Sequence, residues 1–248
     1  MPKGRRKYVG RRMLRRAFPE YTRRGITLRR LLRHQDDDPL QHVWSRFVAT
    51  HPKATFVQIG AHNGLDHDFF MAPAIAQKRK WSGILVEPIP ELFEQLEVRH
   101  ANRARLRLVQ AAITDHDGVV DLTTVVGAPG MPQGTDMLST IHPDVLLNHR
   151  KQVPGLKDAM RSVTVPAMTF DSLTRSIDHL DVLAVDTEGH DAVILDQVDL
   201  ARWQLAAVLF EHKHLSSADR ARCNGRLERA GFTLASGVDD TLALHPAR

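Results

Sequence analysis

Residues 56–68 have the sequence FVQIGAHNGLDHD and indicate how the fold begins. A short apolar run from Phe56 to Ile59 ends at Gly60, and a second glycine, Gly64, follows soon after. In a parallel α/β sheet, a strand that ends in a glycine turn leaves backbone N–H groups facing a ligand, because glycine carries no Cβ to obstruct it. The stretch therefore predicts the first strand and the ligand-binding turn of an α/β sheet.

A second apolar run, in the segment GILVEP, ends in a carboxylate. Its apolar residues finish at Val86, and Glu87 follows at the point where the strand would end. A carboxylate offers enough acceptor sites for both hydroxyl protons of a ribose. Glu87 and the glycine turn together predict a site for a ligand of nucleotide size.

Strand and helix patterns alternate along the chain after a turn at residues 36–39. Apolar residues at helical spacing predict a first helix over 39–50. The predicted strands are Thr55–Ile59, Gly83–Val86, Leu106–Ile113, Val119–Val126, Val182–Asp186 and Ala206–Phe210. The predicted helices that follow are Asp68–Arg79, Pro90–His100, Phe170–Ile177, Asp191–Val198 and Ser216–Ala230. This alternation predicts a doubly wound, mostly parallel α/β sheet.

Two segments depart from the alternation. Gly231–Ala235 and Thr241–Leu244 are short apolar runs joined by a turn, so they predict a C-terminal hairpin with an antiparallel strand at the sheet edge. Residues 127–161 begin with several glycines and prolines, and we interpret them as an insertion on the substrate side of the domain. The domain as a whole is expected to span residues 39–248.

The positive charge of the chain is concentrated in an N-terminal arm, residues 1–38. The first 34 residues hold 13 lysines and arginines against one acid, a local charge of +12, whereas the whole chain carries +5. The arm suits an anionic membrane surface or nucleic acid, or it is a solubilising extension that packs on the domain. One cysteine, no secretory signal and no membrane-spanning run predict a cytoplasmic protein, with attachment to the inner membrane surface through the arm as an option.

A cluster of ionisable residues follows the apolar run at 182–185. Asp186, Glu188 and His190 come directly after it, where open α/β sheets place their ligands. Capping of the next helix would account for only one of the two carboxylates. We therefore expect this cluster to be functional.

The next predicted strand ends in the same way, with Glu211 and His212. Both residues should lie beside Asp186 at the same edge of the sheet. His212 and His214 have the spacing of a metal-binding pair, but without a third ligand that spacing is weak evidence.

Six segments resemble the FkbM family of S-adenosylmethionine-dependent methyltransferases. They are FVQIGAHNG, ILVEPIPELFEQL, AAITDHDGVVDL, MTFDSL, LDVLAVDTEGHDAVIL and VLFEH, in the family's order. Gln58 stands where the family usually has an acidic or small residue, and Thr187 replaces a common apolar residue. The resemblance implies a Rossmann-like class I methyltransferase fold, with a seven-stranded sheet whose last strand is antiparallel.

The resemblance implies S-adenosylmethionine as the methyl donor. The residues expected to bind it are Gly60, Ala61, Asn63, Gly64, Glu87, Pro88, Ala111, Ala112 and Asp186. Glu87 would hold the ribose hydroxyls, and the turn at Ala111 and Ala112 would lie against adenine. A divalent ion such as Mg²⁺, held by Asp186 and Glu188, is compatible with the resemblance because related sugar methyltransferases use one.

The implied reaction is O-methylation of a hydroxyl on a sugar, glycan, glycolipid or polyketide-type small molecule. Such an acceptor needs a base, because an alcohol keeps its proton at neutral pH. His190 is the first choice for this base. Glu188, Glu211 and His212 are the rival choices.

Three alternatives belong to other classes. An RNA methyltransferase would use the basic arm, but the chain lacks the Asn/Asp-Pro-Pro-aromatic motif, which argues against nucleic acid as the substrate. An NAD(P)-dependent oxidoreductase would need a middle glycine between Gly60 and Gly64 and a Tyr-x-x-x-Lys motif, and the sequence has neither. A non-catalytic membrane-binding or partner-binding protein is the third alternative.

Overall fold

The computed structural model describes residues 39–64, 68, 70–77, 80–125, 139–147 and 155–248. The basic arm at residues 1–38 lies outside this part of the chain. So do residues 127–138 and 148–154 of the predicted insertion, and residue 126 at the end of the predicted strand Val119–Val126.

The described strands form two sheets. In chain order they are β1 (Ala54–Ile59), β2 (Trp81–Val86), β3 (Leu106–Val109), β4 (Ala112–Ile113), β5 (Gly118–Val125), β6 (Ser139–Thr140), β7 (Met160–Met168), β8 (Val182–Val185), β9 (Ala207–Glu211), β10 (Thr233–Ser236) and β11 (Asp240–Leu244). The main sheet has seven strands in the order β10-β11-β9-β8-β1-β2-β3. Its strands β3, β2, β1, β8 and β9 pair in parallel, which confirms the predicted mostly parallel sheet.

Helices cover both faces of the main sheet. The described helices are α1 (Pro39–Thr50), α2 (Met71–Gln77), α3 (Pro90–His100), α4 (Pro143–Leu147), α5 (Leu156–Ala159), α6 (Phe170–Thr174), α7 (Asp191–Gln197) and α8 (Ser217–Arg229). Adjacent residues of β1 belong to different cores: Phe56 packs with α1 and α2, and Val57 packs with α6, α7 and α8. A parallel sheet buried on both faces explains why its strands are apolar throughout rather than alternating.

The C-terminal hairpin is present, but its antiparallel strand is not at the edge. β11 lies between β9 and β10 and runs antiparallel to both. The edge strand is β10, so the antiparallel strand β11 lies one strand further in than the sequence predicted. Burial explains the order, because Thr241, Leu242 and Ala243 of β11 are all buried while β10 ends in the exposed Ser236.

A second sheet, in the order β4-β7-β5-β6, was missed by the sequence prediction. The predicted strand Leu106–Ile113 divides into β3, which joins the main sheet, and β4, which joins the second sheet. β7 was not predicted at all, since Pro166 lies within it and proline lacks a backbone donor. On the β4 side, β7 pairs only at Ala167 and Met168, so Pro166 has no partner residue there, while on the β5 side it lies opposite Val119.

The parallel strands β1, β2 and β8 end at the same edge of the main sheet. Ile59 pairs with Val86 on one side and with Val185 on the other. The residues that follow these strands are therefore neighbours, as the sequence predicts. Among the described residues, no helix combines the length and apolar character needed to cross a membrane.

Candidate active site

The turn after β1 brings two backbones into contact. Gly60 has φ +82°, and a Cβ built on it would lie 1.7 Å from the carbonyl oxygen of Asp186. The N–H groups of Gly60 and Ala61 both donate to the carbonyl of Val86, at 3.0 and 2.9 Å. Position 60 therefore requires glycine because the backbone after β8 passes too close to leave room for a Cβ, whether or not a ligand is bound.

The second half of the turn packs against α3. Gly64 has φ +75°, and a Cβ on it would lie 2.7 Å from Cδ1 of Leu96 and 2.8 Å from Nε2 of His100. Asn63 is buried, and its side-chain amide donates to Oε1 of Gln95 at 3.4 Å. These two predicted cofactor residues support the turn through contacts with the helix.

Glu87 is buried at the end of β2, with 3% of its surface exposed. Its Oε2 accepts a hydrogen bond from the backbone N–H of His62 at 2.8 Å, and its Oε1 accepts one from Ile89 at 2.9 Å. Burial raises the pKa of Glu87 to about 7, even though both hydrogen bonds favour the charged form. Each carboxylate oxygen has a second acceptor site, so the ionised group can still accept hydroxyl protons from a ligand.

Gln58 has a structural partner that explains why an amide stands in β1. Its Nε2 donates to Oδ2 of Asp68 at 2.9 Å. Asp68 in turn accepts from the backbone N–H groups of Phe70, Met71 and Ala72, so it caps α2. Desolvation raises the pKa of Asp68, and a carboxylate at position 58 would add a second negative charge beside it. The predicted helix start at Asp68 is thus the cap, and the helix itself begins at Met71.

The loop between β8 and α7 is strained and firmly held. Glu188 has φ +51° and Gly189 has φ +104°, so two consecutive residues lie in the left-handed region. Oγ1 of Thr187 donates to Oδ2 of the fully buried Asp191 at 2.7 Å. The other oxygen of Asp191 accepts from the backbone N–H of Glu211 at 3.1 Å. Asp191 therefore ties this loop to β9, and Thr187 contributes a hydroxyl that an apolar residue could not replace.

Asp186 is the acid of this loop that is most open to the cleft. Desolvation and the negative charges of Glu188 and Asp191 raise its pKa well above the ordinary value of an aspartate. The site therefore favours a positive charge near Asp186, such as a sulfonium.

His190 and His142 form a pair at the end of the same loop. Nδ1 of His190 lies 3.2 Å from Nε2 of His142, and only 8% of the His190 surface is exposed. Nε2 of His190 is buried and has no hydrogen-bond partner among the described residues. Burial, together with the neighbouring His142, lowers the pKa of His190 to about 4. The imidazole is therefore neutral at pH 7.

The residues after β9 lie behind this loop. Glu211 is 8% exposed, and burial and the charges of Asp186 and Glu188 raise its pKa to about 10. Nε2 of His214 lies 3.0 Å from Oε2 of Glu188 and 3.8 Å from Oε1 of Glu211. Nδ1 of the buried His212 lies 2.9 Å from Oγ1 of Thr241 in β11, so its ring is directed to the hairpin.

Most of the predicted site residues line one cleft of about 720 Å³, a volume that includes the solvent-filled opening of the cleft. Its lining includes the predicted residues Gly60, Glu87, Pro88, Ala111, Ala112, Asp186, Glu188 and His190. The predicted residues Ala61, Asn63, Gly64, Glu211 and His212 are not part of the lining. The cleft lies at the carboxyl ends of the parallel strands, where open α/β sheets bind their ligands.

The second sheet supplies a wall of the cleft that the sequence analysis did not foresee. The lining residues from this part of the chain are Ile113, Leu122, Ser139 and Ile141. Thr140 fastens this wall to the strained loop, since its Oγ1 donates to the carbonyl of Glu188 at 2.8 Å. His142, His214 and Asp191 were also missed as site residues, and only the His-Lys-His spacing gave any signal for His214.

Comparisons with known proteins agree with the resemblance seen in the sequence. The sequence profile of the methyltransferase FkbM domain matches residues 58–239. The fold is similar to that of the methyltransferase FkbM from Methylobacillus flagellatus KT, with 13% identity, a TM-score of 0.50, and coverage of 78% of this chain and 44% of that chain. This chain thus spans less than half of the length of the Methylobacillus protein. No protein of curated function matches the chain.

Two further solved structures are more distant. The precorrin-6y C5,15-methyltransferase from Geobacter metallireducens GS-15 has 10% identity and a TM-score of 0.41, with 82% of this chain and 85% of that chain covered. The fibrillarin from Aeropyrum pernix, in complex with natively bound S-adenosyl-L-methionine, has 9% identity and a TM-score of 0.37, with 77% and 66% covered.

The profile match covers most of the chain, from within β1 to the turn before β11. The similarity to the Methylobacillus structure shows the fold alone, and this fold is the Rossmann-like class I methyltransferase fold that the resemblance implied. The chain belongs to the methyltransferase FkbM domain family.

Proposed function

We propose that this protein transfers the methyl group of S-adenosylmethionine to a hydroxyl oxygen of a sugar, glycan, glycolipid or polyketide-type small molecule. One observation carries the proposal. The same cleft is lined by Glu87, a buried carboxylate able to accept ribose hydroxyl protons, and by His190, a neutral imidazole able to accept the proton of an alcohol.

The residues proposed to bind the methyl donor lie at the ends of strands. Glu87 would accept from the ribose hydroxyls, and Ala111 and Ala112 would pack against adenine, since all three residues line the cleft. Asp186 lines it too, and its negative charge would stabilise the sulfonium. The outer members of the glycine turn, Asn63 and Gly64, would act through the shape of the turn.

The acceptor half requires little more than alignment and proton removal. The hydroxyl oxygen attacks the methyl carbon as the carbon–sulfur bond breaks, and the electron pair of that bond remains on sulfur. The oxygen becomes a much stronger acid as the new bond forms, so a base with a pKa of about 4 is sufficient. In the tautomer in which Nδ1 of His190 donates to His142, Nε2 carries the lone pair that takes the proton.

The accessory predictions also stand as proposals. A divalent ion at the loop after β8, the cytoplasmic location and the membrane contact of the arm each need a direct test. For the arm, binding to vesicles that contain phosphatidylserine should weaken as salt is added, since the local charge is +12 over residues 1–34.

Two experiments test the methyl transfer. Calorimetry should detect binding of S-adenosylmethionine and none of NAD, and a protein that does not bind the former cannot have the proposed function. Transfer of labelled methyl groups to fractionated extracts should then identify the acceptor. His190→Ala should reduce kcat by about 100-fold or more while donor binding persists.

The matched control is His179→Ala, which removes an exposed histidine beside Asp181, at the other end of β8. This variant should retain the activity of the unmodified protein. If His190→Ala also retains it, the base has been assigned to the wrong residue.

A further inference from the structure

Three metal-binding side chains meet behind the strained loop. Glu188 comes from the loop itself, Glu211 from the end of β9, and His214 from the turn that follows. One potential ligand atom from each lies within 4.8 Å of the other two. Residues from separate parts of the chain thus present two carboxylates and one imidazole to a common point.

Glu211 points to a missing ligand at this place. The residue is 8% exposed, and its Oε2 has no hydrogen-bond partner among the described residues. A buried acceptor without a partner is costly, and such groups are rare in folded proteins. The methyl transfer proposed above does not use Glu211.

Contacts within the cluster do not supply a hydrogen-bond partner for Oε2 of Glu211. Nε2 of His214 is 3.0 Å from Oε2 of Glu188 but 3.8 Å from Oε1 of Glu211, which is beyond hydrogen-bond distance. The nearby Lys213 is directed elsewhere, because its Nζ lies 3.9 Å from Asp239 at an exposed position. The contacts among the described residues thus leave Oε2 of Glu211 without a hydrogen-bond partner.

We propose that Glu188, Glu211 and His214 bind a divalent transition-metal ion. Imidazole nitrogen suits transition-metal ions such as Zn²⁺, and a mixed set of two carboxylates and one imidazole can also hold Mn²⁺, whereas Mg²⁺ prefers an all-oxygen set. The site differs from the pair Asp186 and Glu188 predicted from the sequence, because it keeps Glu188 and takes its other ligands from the β9 side. Asp186 remains free for the donor.

The position of the site suggests its use. Glu188 lines the cleft while Glu211 and His214 lie behind it, so the ion would be at the wall of the cleft. An ion there would polarise an acceptor hydroxyl and lower its pKa. This role rests on the proposed methyl transfer, but binding of the ion does not.

The test measures metal binding by the full chain without donor or acceptor. After treatment with a chelator, calorimetry with MnCl₂ or ZnCl₂ should show one site that requires the cluster. Glu211→Gln and His214→Gln should each weaken binding at least about tenfold, whereas His179→Gln, at an exposed histidine, should not. MgCl₂ should bind at least about tenfold more weakly than MnCl₂.

Pulsed electron paramagnetic resonance of the unmodified Mn²⁺-loaded protein gives a second result that needs no variant. It should show one directly coordinated imidazole nitrogen. Absence of that nitrogen, or unchanged affinity in folded Glu211→Gln and His214→Gln proteins, would overturn the proposal. Equal affinity for Mg²⁺ would overturn the assigned class of ion. Because these measurements contain no methyl donor, a protein that fails to bind the metal could still transfer methyl groups, and the two proposals are tested separately.

Discussion

Replacing Glu87 by glutamine tests whether burying this carboxyl group lowers the stability of the fold at neutral pH. Burial raises the pKa of Glu87 from 4.5 to about 7. The folded protein therefore holds this proton more tightly than the unfolded chain does. The stabilising contribution is complete below pH 4.5 and is lost as the pH rises through 7. At about 1.4 kcal/mol per pKa unit, the loss amounts to about 3 kcal/mol.

Glutamine at position 87 does not titrate. Its single carbonyl oxygen can satisfy only one of the N–H groups of His62 and Ile89, so we expect the variant to be less stable at acid pH by about 1–3 kcal/mol. As the pH rises to about 8, the wild type should lose about 3 kcal/mol relative to the variant. The stability difference should therefore shrink or change sign.

Urea unfolding of both proteins at intervals from about pH 5 to about pH 8.5 measures this difference directly. Glu91→Gln, at an exposed position in the first turn of α3, controls for the loss of one negative charge. A difference between Glu87→Gln and wild type that stays constant over the whole range would refute the reasoning.

The same substitution should weaken the binding of S-adenosylmethionine. The ribose hydroxyls would lose a charged acceptor, and hydrogen bonds to charged groups contribute about 1.5–3 kcal/mol, so we expect a loss of about tenfold or more at about pH 8. In the wild type, affinity should also fall as the pH drops below about 7, because the protonated carboxyl accepts hydrogen bonds less well. Calorimetry that finds equal affinity in both proteins would show that Glu87 does not hold the ribose.

Two further substitutions test the packing around the site. Gly60→Ala should destabilise the protein by about 3 kcal/mol or more in urea unfolding, because the added Cβ meets the carbonyl of Asp186 at 1.7 Å. The control is Gly155→Ala, at φ +76° with nothing within 4 Å, which should cost only about 1 kcal/mol, and equal losses would contradict the steric account. Gln58→Glu should cost about 1–3 kcal/mol at neutral pH and less in acid, since it replaces a hydrogen bond to Asp68 by a second buried carboxylate. A loss that does not depend on pH would contradict this account of Gln58.

Local sequence patterns determined the frame of the fold and the donor side of the site. The glycine turn at Gly60 and the carboxylate Glu87 each follow an apolar strand directly, so a few neighbouring residues suffice to locate them. The helix predicted at Pro90–His100 has the same bounds in the structure, because its boundaries depend on local signals.

The second sheet could not be predicted in this way. β7 is stabilised by pairing with β5, whose residues are far away in the sequence, and its own sequence contains a proline. Strand propensity is a poor guide when the partner strand decides the structure. The cleft wall formed by Ile113, Leu122 and Ile141 therefore appeared only with the tertiary structure.

The sequence by itself determined which residues follow the ends of β1, β2 and β8, and hence the fold and the family. Only the tertiary structure decided which side chains meet there. His142 reaches His190 across 48 positions, and His214 reaches Glu188 from beyond β9. Such contacts depend on the order of the strands and on the packing of loops, and both bring together residues that are distant in the chain. The polar partners of the acceptor side therefore follow from how the sheets are assembled and not from any local pattern.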